Sequence, residues 1–159
     1  QVMKFSDSTD FEAPIKFAFD AFADFEGFER YALRAGAQID RVDDLVEPNR
    51  GMIWKVKAPF RGKDRKFEVE LVDFATHQNL EYLAISTGFS VSIVIDFVAL
   101  TVNHTRAQIV ATISPTSLSA RLAIQSARLA KSSLNKRFKN RLQNFGSQIE
   151  ENYRNAQTA

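Results

Sequence analysis

From Pro115 onward the chain contains no further proline, and the segment running to about Arg154 is rich in Ala, Leu, Arg, Lys and Gln. Such a run is a helix, roughly 55 Å long if continuous, far longer than an ordinary one. A rod of that length is stable only when an apolar stripe lies against another layer, and the stripe is legible. It reads Leu118, Leu122 and Leu129, then Leu134, Phe138, Leu142, Phe145, Ile149 and Tyr153. The five-residue step from Leu129 to Leu134 shifts the stripe and predicts a bend near Ser132-Ser133.

The residues ahead of this rod supply the layer. Apolar residues alternate with polar ones over 38–42, 52–59, 66–74, 80–87, 89–102 and 107–114, the period of strands. The turns between them are marked by Glu47-Pro48-Asn49-Arg50-Gly51, Arg61-Gly62-Lys63-Asp64, His77-Gln78-Asn79, Gly88 and Asn103-His104. Connections this short imply consecutive antiparallel hairpins. A further strand-like run, 3–12, carries Phe5 and Phe11. Ala13-Pro14 then opens a helical stretch with Ile15, Ala18 or Phe19, and Phe22 at helical spacing. Asp24 caps a second short helix over 25–34, in which Phe28 and Tyr31 or Ala32 continue the pattern until Gly36 stops it. The expectation is one α+β domain over residues 1–159: a curved antiparallel sheet of about seven strands wrapped around a long C-terminal helix, with two short helices between strands 1 and 2.

Composition narrows the chemistry. With no Cys there is no disulfide, thiolate nucleophile or Cys-held metal, and two His leave little for a metal centre. No cofactor is expected. The most apolar stretch, 91–102, contains Ser92 and Asp96 and is far shorter than the roughly 20 residues a membrane span needs. The start, Gln1-Val2-Met3-Lys4-Phe5-Ser6-Asp7, has no secretory pattern, which makes the cytoplasm the expected location. Charge is divided unevenly: residues 1–47 hold 5 basic and 11 acidic side chains, whereas 97–149 hold 8 basic and no acidic ones.

The segments Met3-Lys4-Phe5, Ala13-Pro14-Ile15 with Phe19-Asp20, and Asp24-Phe25-Glu26-Gly27-Phe28-Glu29-Arg30-Tyr31 resemble the N-terminal helix pair of the START-like, or SRPBCC, superfamily. The order strand, two helices, six strands, long helix is similar to that superfamily's helix-grip fold. The resemblance spans essentially the whole chain, and its motifs are patterns of residue type, not catalytic signatures. It implies a hydrophobic cavity beneath the terminal helix, as in polyketide cyclases and aromatases, lipid and coenzyme Q carriers, plant allergens that bind small hydrophobic molecules, and activators of a heat-shock ATPase.

Strand parity assigns a lining to such a cavity. Met52, Trp54, Val56 and Ala58 share a face, as do Phe67, Val69 and Leu71, and Val91, Ile93, Ile95 and Phe97. On 80–87 the choice lies between Leu83 with Ile85 and Tyr82 with Ala84. Phe28 and Tyr31 are assigned to the rim. On the terminal helix, Leu122 and Leu129 with the polar Gln125, Ser126 and Ser133 complete the set, the polar groups offering sparse hydrogen bonds to a guest. The expected ligand is a hydrophobic or amphipathic small molecule, such as a lipid, quinone or polyketide-like compound.

A cyclase or aromatase would need polar groups in the cavity, for which Asp96 in a slipped register, Tyr31, Tyr82 or Gln125 are the available residues. By parity Asp96 points outward, beside Val94, Val98 and Leu100, which offer a patch for a homodimer or for a partner protein. His77 and His104 fall in turns and read as solvated. The basic run Arg121, Arg128, Lys131, Lys136, Arg137, Lys139 and Arg141 reads as a solvated helix face partly paired with the acidic N-terminal region, against the alternative of contact with an anionic membrane surface. Aromatics do not interleave with it and no nucleic-acid motif accompanies it.

Overall fold

The computed structural model describes residues 2–60 and 62–158; Gln1, Arg61 and Ala159, and with Arg61 part of the turn expected at 61–64, lie outside the described residues. The chain runs β1 (Met3–Phe11), α1 (Ile15–Phe22), α2 (Phe25–Arg34), β2 (Gln38–Arg41), β3 (Ile53–Phe60), β4 (Lys63–Ala75), β5 (Asn79–Ser86), β6 (Phe89–Thr101), β7 (His104–Pro115), α3 (Leu118–Ala127), a 3-10 turn (Arg128–Ala130) and α4 (Lys131–Thr158). All neighbouring strands are antiparallel in one seven-stranded sheet ordered β1-β7-β6-β5-β4-β3-β2. The first strand thus pairs with the last, which places both chain halves in one layer. The α+β helix-grip arrangement is the one the sequence predicts.

Register decides which side chains share the inner face. Across the sheet, Trp54, Val69, Ala84, Val91, Ile113 and Met3 lie in one row, and Leu71, Tyr82, Ile93, Ala111 and Phe5 in the next. Tyr82 and Ala84 are therefore the inward pair on β5, and Ile85 is exposed on the other face. Asp96, opposite Asn79 and Gln108, is exposed as its parity demands. A bulge between Leu71 and Asp73 adds one residue to β4. It returns Phe74 to the inner face, opposite buried Leu80, where strict alternation would have turned it outward.

Of the Phe residues in the first 28 positions, Phe5, Phe11, Phe19, Phe22 and Phe25 are buried. Phe19 meets Phe74, Phe97 and His77 edge-on at 5.6, 5.2 and 5.6 Å between ring centres, and Phe22 meets Phe97 and Phe145 at 5.2 and 4.7 Å. Phe17 packs against Tyr153 at 5.1 Å, so α1 is pinned between the sheet and α4 by aromatic edges. His77 takes a left-handed backbone, φ 60°, at the β4–β5 turn. His104 opens β7, 3.1 Å from Thr101 Oγ1 and 3.5 Å from Glu12. Both histidines serve turns.

The terminal rod departs from the expectation in two ways. Its break falls at the 3-10 turn Arg128–Ala130, ahead of Ser132-Ser133. There the helix changes partner: α3 packs on β7, α4 along β1. The second difference is the stripe itself. Leu134, Phe138, Leu142, Phe145, Ile149 and Tyr153 do pack inward, and Ile124 joins Met3 and Phe5. Leu118, Leu122 and Leu129 do not; they are exposed on the opposite side of the helix. Counting 100° per residue, Ile124 and Ala127 continue the inward face of α4, and the three leucines stand away from it.

The loop from β2 to β3 is held by one carboxylate. Asp43 accepts from Arg41 Nε and Nη2 at 2.8 and 2.9 Å and from the backbone N–H groups of Leu45 and Ile53, each at 3.0 Å. The Arg41 guanidinium, helped by those two amides, holds the Asp43 carboxyl well below the ordinary carboxylate range. A depressed folded-state pKa gives stability that is complete above the unfolded value, about 3.9, and fades as pH falls toward the folded one. Asp43→Asn is expected to lower stability at pH 7 by about 1–2 kcal/mol, through weakened charged hydrogen bonds. Thermal melts taken from pH 5 down to about 2 should converge for wild type and variant; parallel curves would show that the pair contributes no acid-sensitive stability.

Candidate functional site

The inner face is not covered evenly. Along β1, α4 approaches closely because Gly146 has no side chain: a Cβ there would stand 2.9 Å from Thr9 Oγ1 and 3.6 Å from Phe11 Cδ1. Over β3 to β6 the covering element is instead α2, which touches the sheet at Trp54 and leaves a gap beside it. The result is a pocket of about 360 Å³. Its roof is Phe22, Phe25, Phe28 and Glu29 from the helix pair; its floor is Ile39, Trp54, Val56 and Val69, with Tyr82, Ala84, Val91, Ile93 and Ile95. A larger cleft of about 730 Å³ lies between α1, the loop around Pro48 and the end of α4. Phe17, Phe19, Phe25, Phe74, Phe145 and Ile149 line that cleft together with Asp20, Asp24, Gln148 and Asn152, whereas the smaller pocket is apolar but for Glu29, Trp54 and Tyr82 and is the candidate site.

Placement of the roof follows from the α2 sequence. Asp24 caps the helix by accepting from Gly27 N–H at 3.1 Å, and Gly36, at φ 92°, ends it. Phe25, Phe28 and Glu29, at i, i+3 and i+4, then share one face. Glu29 Oε2 accepts from Trp54 Nε1 at 3.0 Å, which ties the roof to the floor. Phe28 reaches across to Phe145 of α4, 6.3 Å between ring centres.

Three lining residues carry polar groups, Glu29, Trp54 and Tyr82. Glu29 is engaged with Trp54. No described residue lies within hydrogen-bonding distance of the Tyr82 hydroxyl, and burial among apolar side chains pushes its phenol above the ordinary range. It therefore stays neutral across the physiological range, able to donate one hydrogen bond and accept others.

Of the residues assigned to the cavity from sequence, Phe28, Trp54, Val56, Val69, Ile93 and Ile95 line this pocket together. Phe67 shares their face one row further out, with its ring 5.9 Å from Phe89. Leu71 is wholly buried beneath them. Tyr31 is exposed and does not line the pocket. Leu122, Gln125, Ser126, Leu129 and Ser133 are exposed on the terminal helix and take no part in the lining. The apolar pocket lies between sheet and α2, whereas the expectation placed the cavity between sheet and terminal helix; along β1 that second gap is closed by large α4 side chains and Gly146. Glu29 was missed, although its i+4 spacing from Phe25 was a usable signal.

Among the described residues no group of three or more His, Asp or Glu gathers as metal ligands, and no helix is long and apolar enough to cross a membrane. No protein-family model matches the chain, and no curated protein sequence does.

The sheet order, the helix pair and the terminal rod together define the START-like helix-grip fold. Solved structures agree. An aromatase/cyclase, Zhui from Streptomyces sp. R1128, superposes with a TM-score of 0.66 at 10% identity, covering 94% of each chain. Ara h 8.0201 superposes at 0.61 with 15% identity over 96% of this chain and 98% of its own. A START superfamily protein from Mycobacterium smegmatis gives 0.52 at 12% identity over 86% and 97%.

Proposed function

We propose that this protein binds a hydrophobic or amphipathic small molecule in the pocket between α2 and the inner face of the sheet. The observation that carries this is a preformed apolar space with a single uncommitted phenol, Tyr82, in its wall. Phe28, Trp54, Val56, Val69, Ile93 and Ile95 supply contact area, at roughly 25 cal/mol per Å² before association costs. Tyr82 orients the guest by hydrogen bonding to a hydroxyl or carbonyl. Lipid, quinone and polyketide-like compounds all have that character. Native mass spectrometry of protein purified without detergent should show a bound apolar mass; a spectrum of bare chain after exposure to total lipid extract would count against the reading.

The phenol can be tested separately. Tyr82→Phe should weaken the extracted ligand by about three- to tenfold, the worth of one hydrogen bond. Stability of the empty protein should not fall, because the hydroxyl has no protein partner to lose. A cyclase reading has one observation in its favour: a neutral phenol and a carboxylate face the same apolar space. Turnover of a poly-keto substrate that vanishes in Tyr82→Phe would favour it, whereas a mere loss of affinity favours binding alone.

A further inference from the structure

The leucines that the pocket does not use stand together. Leu118, Leu122 and Leu129 are 72%, 57% and 93% exposed, and at spacings of four and seven they form one stripe on the outer side of α3 and the 3-10 turn. Leucines in solvent at this density are unusual on a helix whose other face is already packed. The surrounding charge is of one sign. Arg121 and Arg128, seven residues apart, flank the stripe; Lys136 and Arg137 extend it onto α4. Between Phe97 and Ile149 there is no acidic residue.

Internal neutralisation does not account for these cations. Asp10 pairs with Arg106 of β7 in a two-pronged contact at 2.7 and 2.8 Å and Glu12 lies 3.5 Å from His104, while Asp7 shares a cleft with Lys131, Lys136 and Lys139 without an ion pair to a described residue. No ion pair with a described residue forms at Arg121, Lys131, Lys136, Arg137, Lys139 or Arg141. Arg128 donates to the Val2 carbonyl at 2.9 Å, a contact that leaves its charge uncompensated. The expectation of a helix face paired with the N-terminal acids is thereby corrected.

We infer that the outer face of α3 and the start of α4 is a docking surface for an anionic lipid bilayer, with Leu118, Leu122 and Leu129 entering the headgroup–acyl boundary and the flanking Arg and Lys side chains meeting lipid phosphates. An apolar stripe rimmed by cations matches that interface in both chemistry and order. Nucleic acid would suit the charge but not the leucines, since the ring that falls among the cations, Phe138, packs inward on Phe5 and is not offered to bases. This holds whatever the pocket binds.

Vesicle flotation tests it, with no pocket ligand required. At about 150 mM salt the protein should float with vesicles of roughly one part phosphatidylserine to two parts phosphatidylcholine, and weakly with phosphatidylcholine alone. Leu122→Ser with Leu129→Ser should reduce binding by about tenfold or more, since each leucine loses its transfer into the apolar layer. Lys136→Glu with Arg137→Glu should abolish the preference for the anionic vesicles. All four positions are exposed, so circular dichroism should show unaltered melting. Failure of the wild type to float, equal flotation of the leucine variant, tighter binding to duplex DNA than to vesicles, or a dimer that the leucine variant dissolves would each overturn the proposal.

Discussion

Ala84→Trp is expected to weaken binding in the pocket by roughly 70-fold while leaving the fold at least as stable as before. Ala84 sits on the inner face of β5 between Val69 and Val91, and its methyl is part of the pocket wall. An indole projecting from that point enters a space of about 360 Å³ that no other side chain claims. A guest denied some 100 Å² of apolar contact loses about 2.5 kcal/mol, or roughly 70-fold in affinity. The indole itself gains burial, so the melting temperature should hold or rise. The measurement is a native mass spectrum alongside a titration with an apolar fluorescent probe. Undiminished binding in a normally melting variant would place the ligand elsewhere, the cleft beside Pro48 being the first alternative.

The second large effect concerns the gap that is closed. Gly146 lies buried on α4 where the helix crosses β1, and any Cβ there meets Thr9 Oγ1 at 2.9 Å and Thr9 Cγ2 at 3.4 Å. Two tendencies oppose each other in Gly146→Ala. Helix propensity favours Ala by about 1 kcal/mol, and the overlap with Thr9 costs a comparable amount, so the net change should be small. Gly146→Leu keeps the propensity gain but drives a branched side chain into Thr9 and Phe11. Overpacking then dominates, at about 2–3 kcal/mol of lost stability. Denaturant unfolding of both variants checks the difference. A Leu variant as stable as wild type would mean that α4 can lift from β1 without penalty, and that its close approach does not decide where the cavity lies.

Much of this architecture is written in the order of the residues. Alternation along 52–59, 66–74 and 89–102 fixed which side chains face inward, and Trp54, Val56, Val69, Ile93 and Ile95 are all in the pocket wall. Asp24 and Gly36 marked the ends of α2 because capping and left-handed backbone are local demands. Alternation failed at Phe74, where a bulge inserts a residue, and was undecided on β5, where Glu81, Tyr82 and Leu83 give no consistent period. Tyr82 is for that reason the least legible member of the site and the one with the most distinctive chemistry.

Sequence by itself determined the strand set, the helix pair, the long terminal helix and the direction of most side chains, since each depends on periods of two or 3.6 residues and on turn chemistry within a few positions. Only the tertiary structure decided where the sheet and its covering helices fail to touch. That gap depends on how near two distant segments can come, and a single glycine opposite Thr9, together with aromatic edges between α1, β6 and α4, sets the distance. The same geometry turned three leucines outward: once Ile124 and the α4 stripe occupy the inner side of the rod, residues about half a turn away have nowhere else to point.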